Sequence, residues 1–106
     1  MVYYKTVYFR PYGKSGVYRV EVTVKVLNRT GLHARPAALL AKLANRFQCS
    51  VRIVIGERSA DAKSILDLLT LAAGPGTELL VCASGSDEAA AIQAVQELFA
   101  EKFQEE

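Results

Sequence analysis

The chain has 106 residues, 51% hydrophobic and 23% charged, enough for one core and too few for two. No apolar run approaches the roughly 18 residues that a membrane span needs, and residues 1–10 lack the apolar stretch of a signal peptide, so a cytoplasmic protein without membrane insertion is expected. The net charge of +2 is unevenly split: residues 1–58 hold 11 Lys and Arg against 2 acidic residues and residues 59–106 hold 2 against 9, which sets a +9 half against a −7 half and suits acidic or phosphorylated partner surfaces, with nucleic acid as the competing partner.

Residues 1–10 are rich in Tyr and Val and favour a strand, and residues 11–16, with Pro11, Gly13 and Gly16, form a turn cluster. Residues 17–27 alternate: Val20, Val22, Val24 and Val26 lie on one face, and Arg19, Glu21, Thr23 and Lys25 on the other, the pattern of a half-buried strand. Residues 28–31 make a loop, and a helix is expected over 34–47. Pro36 fits its first turn, where a missing N–H costs nothing. Pro36, Leu40, Leu43, Ala44 and Phe47 form its buried stripe. Arg35, Leu39, Lys42 and Arg46 follow the same rhythm along another side. That side is either a solvated basic face or a partner-binding one, in which Leu39 would be the apolar anchor.

Residues 51–55 read as a strand, turning through 56–58 into a short strand near 59–62. Ser64-Ile65-Leu66-Asp67 has the form of a capping box opening a helix that runs to about residue 71, and Gly74-Pro75-Gly76 ends it. Residues 79–83 form another strand. Gly85-Ser86 supplies a turn and an N-cap, Asp87 and Glu88 fall in the first turn of a last helix, and Ile92, Val95, Phe99 and Phe103 mark its buried side. From residue 17 the order is β-α-β-β-α-β-α, an α+β domain with one antiparallel sheet covered on one face, an open-faced sandwich. Cys49 and Cys82 lie among apolar residues and read as small core hydrophobes, with a disulfide as the lesser alternative. One histidine and no Cys-x-x-Cys pair leave no credible metal set, and no cofactor is expected.

The single histidine, His33, stands directly before the first helix. Free N–H groups and the positive end of the helix dipole there favour an anion over an imidazolium, and a neutral imidazole is a nucleophile. Such a group suits picking up a phosphoryl, which would then face the same N–H groups as a strong negative charge. Arg35 can add donors that match phosphate oxygens. On spacing alone, a surface histidine near an N-cap is the competing reading.

Gly31-Leu32-His33-Ala34-Arg35-Pro36-Ala37, followed by Ala62-Lys63-Ser64-Ile65, resembles the histidine-containing phosphocarrier family (HPr) of the sugar phosphotransferase system. The resemblance covers about residues 18–102. It implies a sheet ordered first, fourth, second, third strand, with three helices on one face. It also implies a carrier that takes a phosphoryl derived from phosphoenolpyruvate from enzyme I and passes it to an enzyme IIA. His33 would accept through Nδ1, with Arg35 as the anion partner. In one branch of the family the serine matching Ser64 is phosphorylated by an ATP-dependent serine kinase, and Lys63-Ser64-Ile65-Leu66 fits that site; as an N-cap, Ser64 needs no such role. Asp67 departs from the pattern, because its charge would oppose a phosphate on Ser64. Ile65, Leu66 and Leu69 are either core residues or, as in the family, partly an exposed docking patch.

With no Walker-type loop and no carboxylate set for magnesium, the chain reads as a stoichiometric carrier rather than a self-sufficient catalyst. A regulatory protein of the same fold, signalling through a phosphorylated His or Ser, is the alternative. A nucleic-acid-binding domain is a third, and it lacks any recognisable motif. Residues 1–16 fall outside the resemblance as an extension to a domain at 17–106. Their Tyr, Val and Phe content, with Lys5, Arg10 and Lys14 and no acidic residue, suits a strand that folds back to pair antiparallel with 17–27 as a fifth, outermost strand. A long new edge could instead join two copies in a dimer, so monomer and dimer are both open.

Overall fold

The computed structural model describes residues 8–12 and 17–105. In chain order the elements are β1 (Tyr8–Tyr12), β2 (Val17–Lys25), α1 (Ala34–Ala44), β3 (Ser50–Ile55), β4 (Arg58–Asp61), α2 (Ile65–Thr70), β5 (Glu78–Ser84) and α3 (Glu88–Ala100), followed by one turn at Lys102–Gln104.

The valine alternation of β2 is what places it. Val20, Val22 and Val24 are buried, and in the antiparallel β2–β5 pair they stand opposite Ala83, Val81 and Leu79, which are buried too. On the far side of β5, Val51 and Ile53 of β3 face Ala83 and Val81, and Ile53 faces Ala60 of β4. Each row of cross-strand partners thus continues one apolar face, and burying each such side chain contributes about 1.5–3 kcal/mol. The sheet order is β1-β2-β5-β3-β4. Because β2 and β3 both run antiparallel to β5, they are parallel to each other, and the crossover through α1 leaves a gap one strand wide that β5 fills. Without β1 this is the first, fourth, second, third order, with three helices over the apolar face.

β1 is the outermost strand, paired antiparallel from Tyr8↔Glu21 to Tyr12↔Val17. It continues through Pro11 and Tyr12, which the composition assigns to a turn. An outer strand tolerates proline because half of its N–H groups have no ladder partner. The expected strand residues 1–7 and turn residues 13–16 lie outside the described residues. With β1 beside it, β2 is an interior strand, and Glu21, expected on a solvated face, is only 2% exposed. The Cys82 thiol lies 3.9 Å from its Oε2 as donor.

Two helix boundaries differ from the pattern. α1 ends at Ala44 rather than residue 47, because the Asn45 side chain competes for the last carbonyls: its Nδ2 donates to the oxygens of Ala41 (2.8 Å) and Lys63 (3.0 Å). Ala37 and Ala41 join Pro36, Leu40 and Ala44 in the buried face, while Leu43 and Phe47 are half-buried at its margin. α3 is capped by Asp87, not Ser86, and the Asp87 carboxylate turns away from its own helix to accept from the N–H groups of Gln48 and Cys49, both at 2.9 Å. Gly85 makes that meeting possible. It has φ +148, and a Cβ there would lie 2.6 Å from the Cβ of Cys49. Phe103 falls beyond α3 and is still fully buried, edge-on to Phe99 with ring centroids 4.8 Å apart. Both cysteines are free and buried. Among the described residues, no helix is long and apolar enough to cross a membrane.

Candidate functional site

His33 is the N-cap residue of α1, extended at φ −116 and ψ −151, with its carbonyl accepting from the Ala37 N–H at 2.8 Å. Its ring is exposed and makes no capping hydrogen bond. The N–H groups of Ala34 and Arg35 precede the first helical hydrogen bond, and Pro36 has none. Two backbone donors and the positive end of the helix therefore lie beside the imidazole.

The loop that carries His33 is braced from below. Asn28 is 1% exposed, and its Nδ2 donates to the Gly31 oxygen (2.8 Å) and to Thr30 Oγ1 (3.3 Å). The Leu32 N–H donates to the Ala73 oxygen at 2.8 Å, and the Leu32 side chain is buried. Gly31 takes φ +77, and a Cβ there would sit 2.7 Å from the same Ala73 oxygen, so only glycine allows this approach.

Arg35 is exposed, and its Nη1 donates to the Phe103 carbonyl at 3.3 Å. Beside it, Thr30 Oγ1 donates to Glu105 Oε2 at 2.7 Å. The Thr30 hydroxyl, with smaller contributions from Asn28 and the Arg35 charge, holds the Glu105 carboxyl below the usual carboxylate range. Asn28, Thr30, Phe103 and Glu105 are the residues of this site that sequence reasoning passed over. Glu105 is 75 positions from Thr30, and no periodicity relates them; the only local signal was the position of Asn28 and Thr30 in the loop before His33.

Ser64 caps α2, its Oγ accepting from the Asp67 N–H at 3.2 Å. The reciprocal half of the expected capping box is not made. Asp67 Oδ2 instead accepts from the Asp61 N–H (3.2 Å), and the Ser64 N–H donates to the Asp61 oxygen (3.0 Å). Leu66 is 75% exposed and Ile65 43%, whereas Leu69 is half-buried against the core. Lys63 reaches the far end of α1, with Nζ donating to the Phe47 oxygen at 2.8 Å.

Leu39, Lys42 and Arg46 do not continue toward the exposed leucine of α2. With Leu43 they line an open cleft of about 470 Å³ whose other wall is α3, where Glu97 and Glu101 stand with Leu98. The acidic side of α3 therefore tempers these cations. Among the described residues, no group of three or more His, Cys, Asp and Glu side chains is placed to hold a metal ion.

The family model described as the PTS HPr component phosphorylation site matches residues 20–101. The phosphocarrier protein HPr of Treponema pallidum is 48% identical over 84 residues, covering 79% of this chain and 96% of its own. The crystal structure of HPr-C-His from Thermoanaerobacter tengcongensis superposes with a TM-score of 0.79 at 40% identity, covering 81% of this chain and 97% of its own. An HPr dimer from the same organism superposes with a TM-score of 0.66 at 38% identity, covering 79% of this chain and 97% of its own. The β-α-β-β-α-β-α order, the first, fourth, second, third sheet and a histidine at the head of α1 all fall within the matched residues, and the chain belongs to the HPr family of phosphocarrier proteins of the phosphotransferase system.

Proposed function

We propose that His33 is the phosphoryl acceptor, that enzyme I is the donor and that an enzyme IIA receives the group. The observation that carries this reading is an exposed, uncapped His33 ring set at the first turn of α1 with Arg35 in the same turn. In the step, the Nδ1 lone pair of the neutral ring attacks phosphorus and the N–P bond forms. The bond from phosphorus to the donor breaks, its electron pair leaves with the donor, and the proton on Nε2 stays in place. Negative charge on the phosphoryl oxygens then faces the orphan N–H groups of α1 and the guanidinium of Arg35. Onward transfer to an enzyme IIA reverses these roles.

The same reading assigns docking to the exposed Leu66, with Leu69 behind it as support, and to Leu39, Lys42 and Arg46 along the cleft beside α3. Ser64 is the second modification site. Its position at the head of α2 favours an added phosphate, and the hydrogen bond from Asp61 to Asp67 draws that carboxylate toward β4. Phosphorylation by an HPr serine kinase would turn the carrier into a regulatory protein. Residues 1–16 are an extension to a domain at 17–106, which the start of the family match at residue 20 supports.

Incubation with enzyme I and phosphoenolpyruvate, followed by intact mass, tests the assignment. One acid-labile phosphoryl is expected on the wild type and none on His33→Ala. Arg35→Ala should slow transfer by about 100-fold, the scale of a lost transition-state donor, while its melting temperature stays within about 2 °C because the side chain is exposed. An acid-stable label, or normal labelling of His33→Ala, would exclude His33 as the acceptor.

A further inference from the structure

The segment after α3 touches the acceptor loop and has no part in the reading above. Lys102, Phe103 and Gln104 hold φ values of 56, 55 and 64, a left-handed conformation that residues with a side chain avoid. The buried Phe103 ring, edge-on to Phe99, keeps them there. The outcome of that turn is delivery. It sets the Phe103 carbonyl against Arg35 Nη1 at 3.3 Å and the Glu105 carboxylate against Thr30 Oγ1 at 2.7 Å, so one strand of tail spans the residues on both sides of His33.

We propose that Glu105 is a positioning residue of the acceptor site: its carboxylate holds the 28–33 loop through Thr30, occupies the positive field of Arg35, and yields that place to a phosphoryl on His33. The proposal rests on the reading of His33 as the acceptor. A phosphoryl of charge about −1.5 to −2 outcompetes a single carboxylate charge for a guanidinium. The contact is exposed and therefore weak enough to be displaced. Phe103 stays anchored, so the change is a local swing of Glu105 and not an unravelling of the tail.

The test uses the full unphosphorylated chain as wild type, Glu105→Gln, Thr30→Val and the double variant, with Glu101→Gln as a control for net charge. Amide exchange at residues 28–32 should speed up equally in Glu105→Gln and Thr30→Val and no further in the double variant, because each change removes the same bond. Titration with inorganic phosphate, followed on the Arg35 signals, should show Glu105→Gln binding about two- to five-fold more tightly than wild type, the range for an exposed charge contact, and Glu101→Gln unchanged. Additive or absent exchange effects, unchanged phosphate affinity in Glu105→Gln, or equal tightening in Glu101→Gln would each overturn the proposal. The mass experiment separates the two readings: no label at His33 defeats the acceptor assignment alone, whereas a normal label with unchanged phosphate affinity in Glu105→Gln defeats the role of Glu105 alone.

Discussion

Ala72 shows how much a single backbone conformation can cost. It follows the C-cap Leu71 of α2, takes φ 51, and its N–H donates to the Leu69 oxygen at 3.3 Å. Glycine is the usual residue in this position, because a Cβ there crowds the following carbonyl. Ala72 is exposed, so its methyl group contributes little packing in return. Ala72→Gly should therefore stabilise the protein by about 0.5–1 kcal/mol, the relief of strain exceeding the added freedom of the unfolded chain. The expected result is a higher urea midpoint at unchanged slope; an equal or lower midpoint would show that the strain is not felt. At Gly31 and Gly85, by contrast, a Cβ would meet the Ala73 oxygen and the Cβ of Cys49. The sequence placed both glycines in turns, but only the approaching chain makes them irreplaceable.

Between elements, the Asp87 carboxylate links the exit of α1 to the entry of α3. Its pKa is lowered from the ordinary aspartate value, chiefly by the N–H of Gln48 and further by Cys49. The neighbouring Cys49 thiol is pushed up to about 11, mainly by burial, with the Asp87 hydrogen bond adding to it. It therefore stays protonated and unreactive at neutral pH. A carboxyl with a depressed folded pKa contributes stability that is present above its unfolded pKa and lost as pH falls through the folded one. The urea midpoint of the wild type should thus fall as the pH drops below about 4. Asp87→Asn should be less stable at neutral pH and lose less of its midpoint across that acid range. Parallel acid profiles for the two proteins would mean that the carboxylate charge does not matter at this junction. The acidic start of α3 was legible from Asp87 and Glu88, but the direction in which Asp87 points depends on a loop 38 positions earlier.

For the whole molecule, the consequential addition is β1, which makes β2 an interior strand and encloses Glu21. Deleting residues 1–16 should leave a folded domain that still takes up one phosphoryl, since the family match lies at residues 20–101. β2 would become an edge, so its outward N–H groups should exchange faster while those facing β5 stay protected. A chain that no longer folds would show that the extension is integral to the domain. Sedimentation of both forms tells at the same time whether this edge joins two copies.

The sequence alone determined the kinds and order of the elements, the helix start at His33 and Pro36, the N-cap at Ser64 and the buried faces of β2 and α3. These depend on alternation, helical spacing and capping, which act over a few residues. It could also suggest β1, because six aromatic and β-branched side chains in residues 2–9 seek a sheet. Only the tertiary structure decided that β5 fills the gap between β2 and β3, that Glu21 is buried, that Lys42 and Arg46 face Glu97 and Glu101 across a cleft, and that Glu105 meets Thr30. Each of these joins groups far apart along the chain, and which of them meet is settled by the packing of one shared core, to which no local period refers.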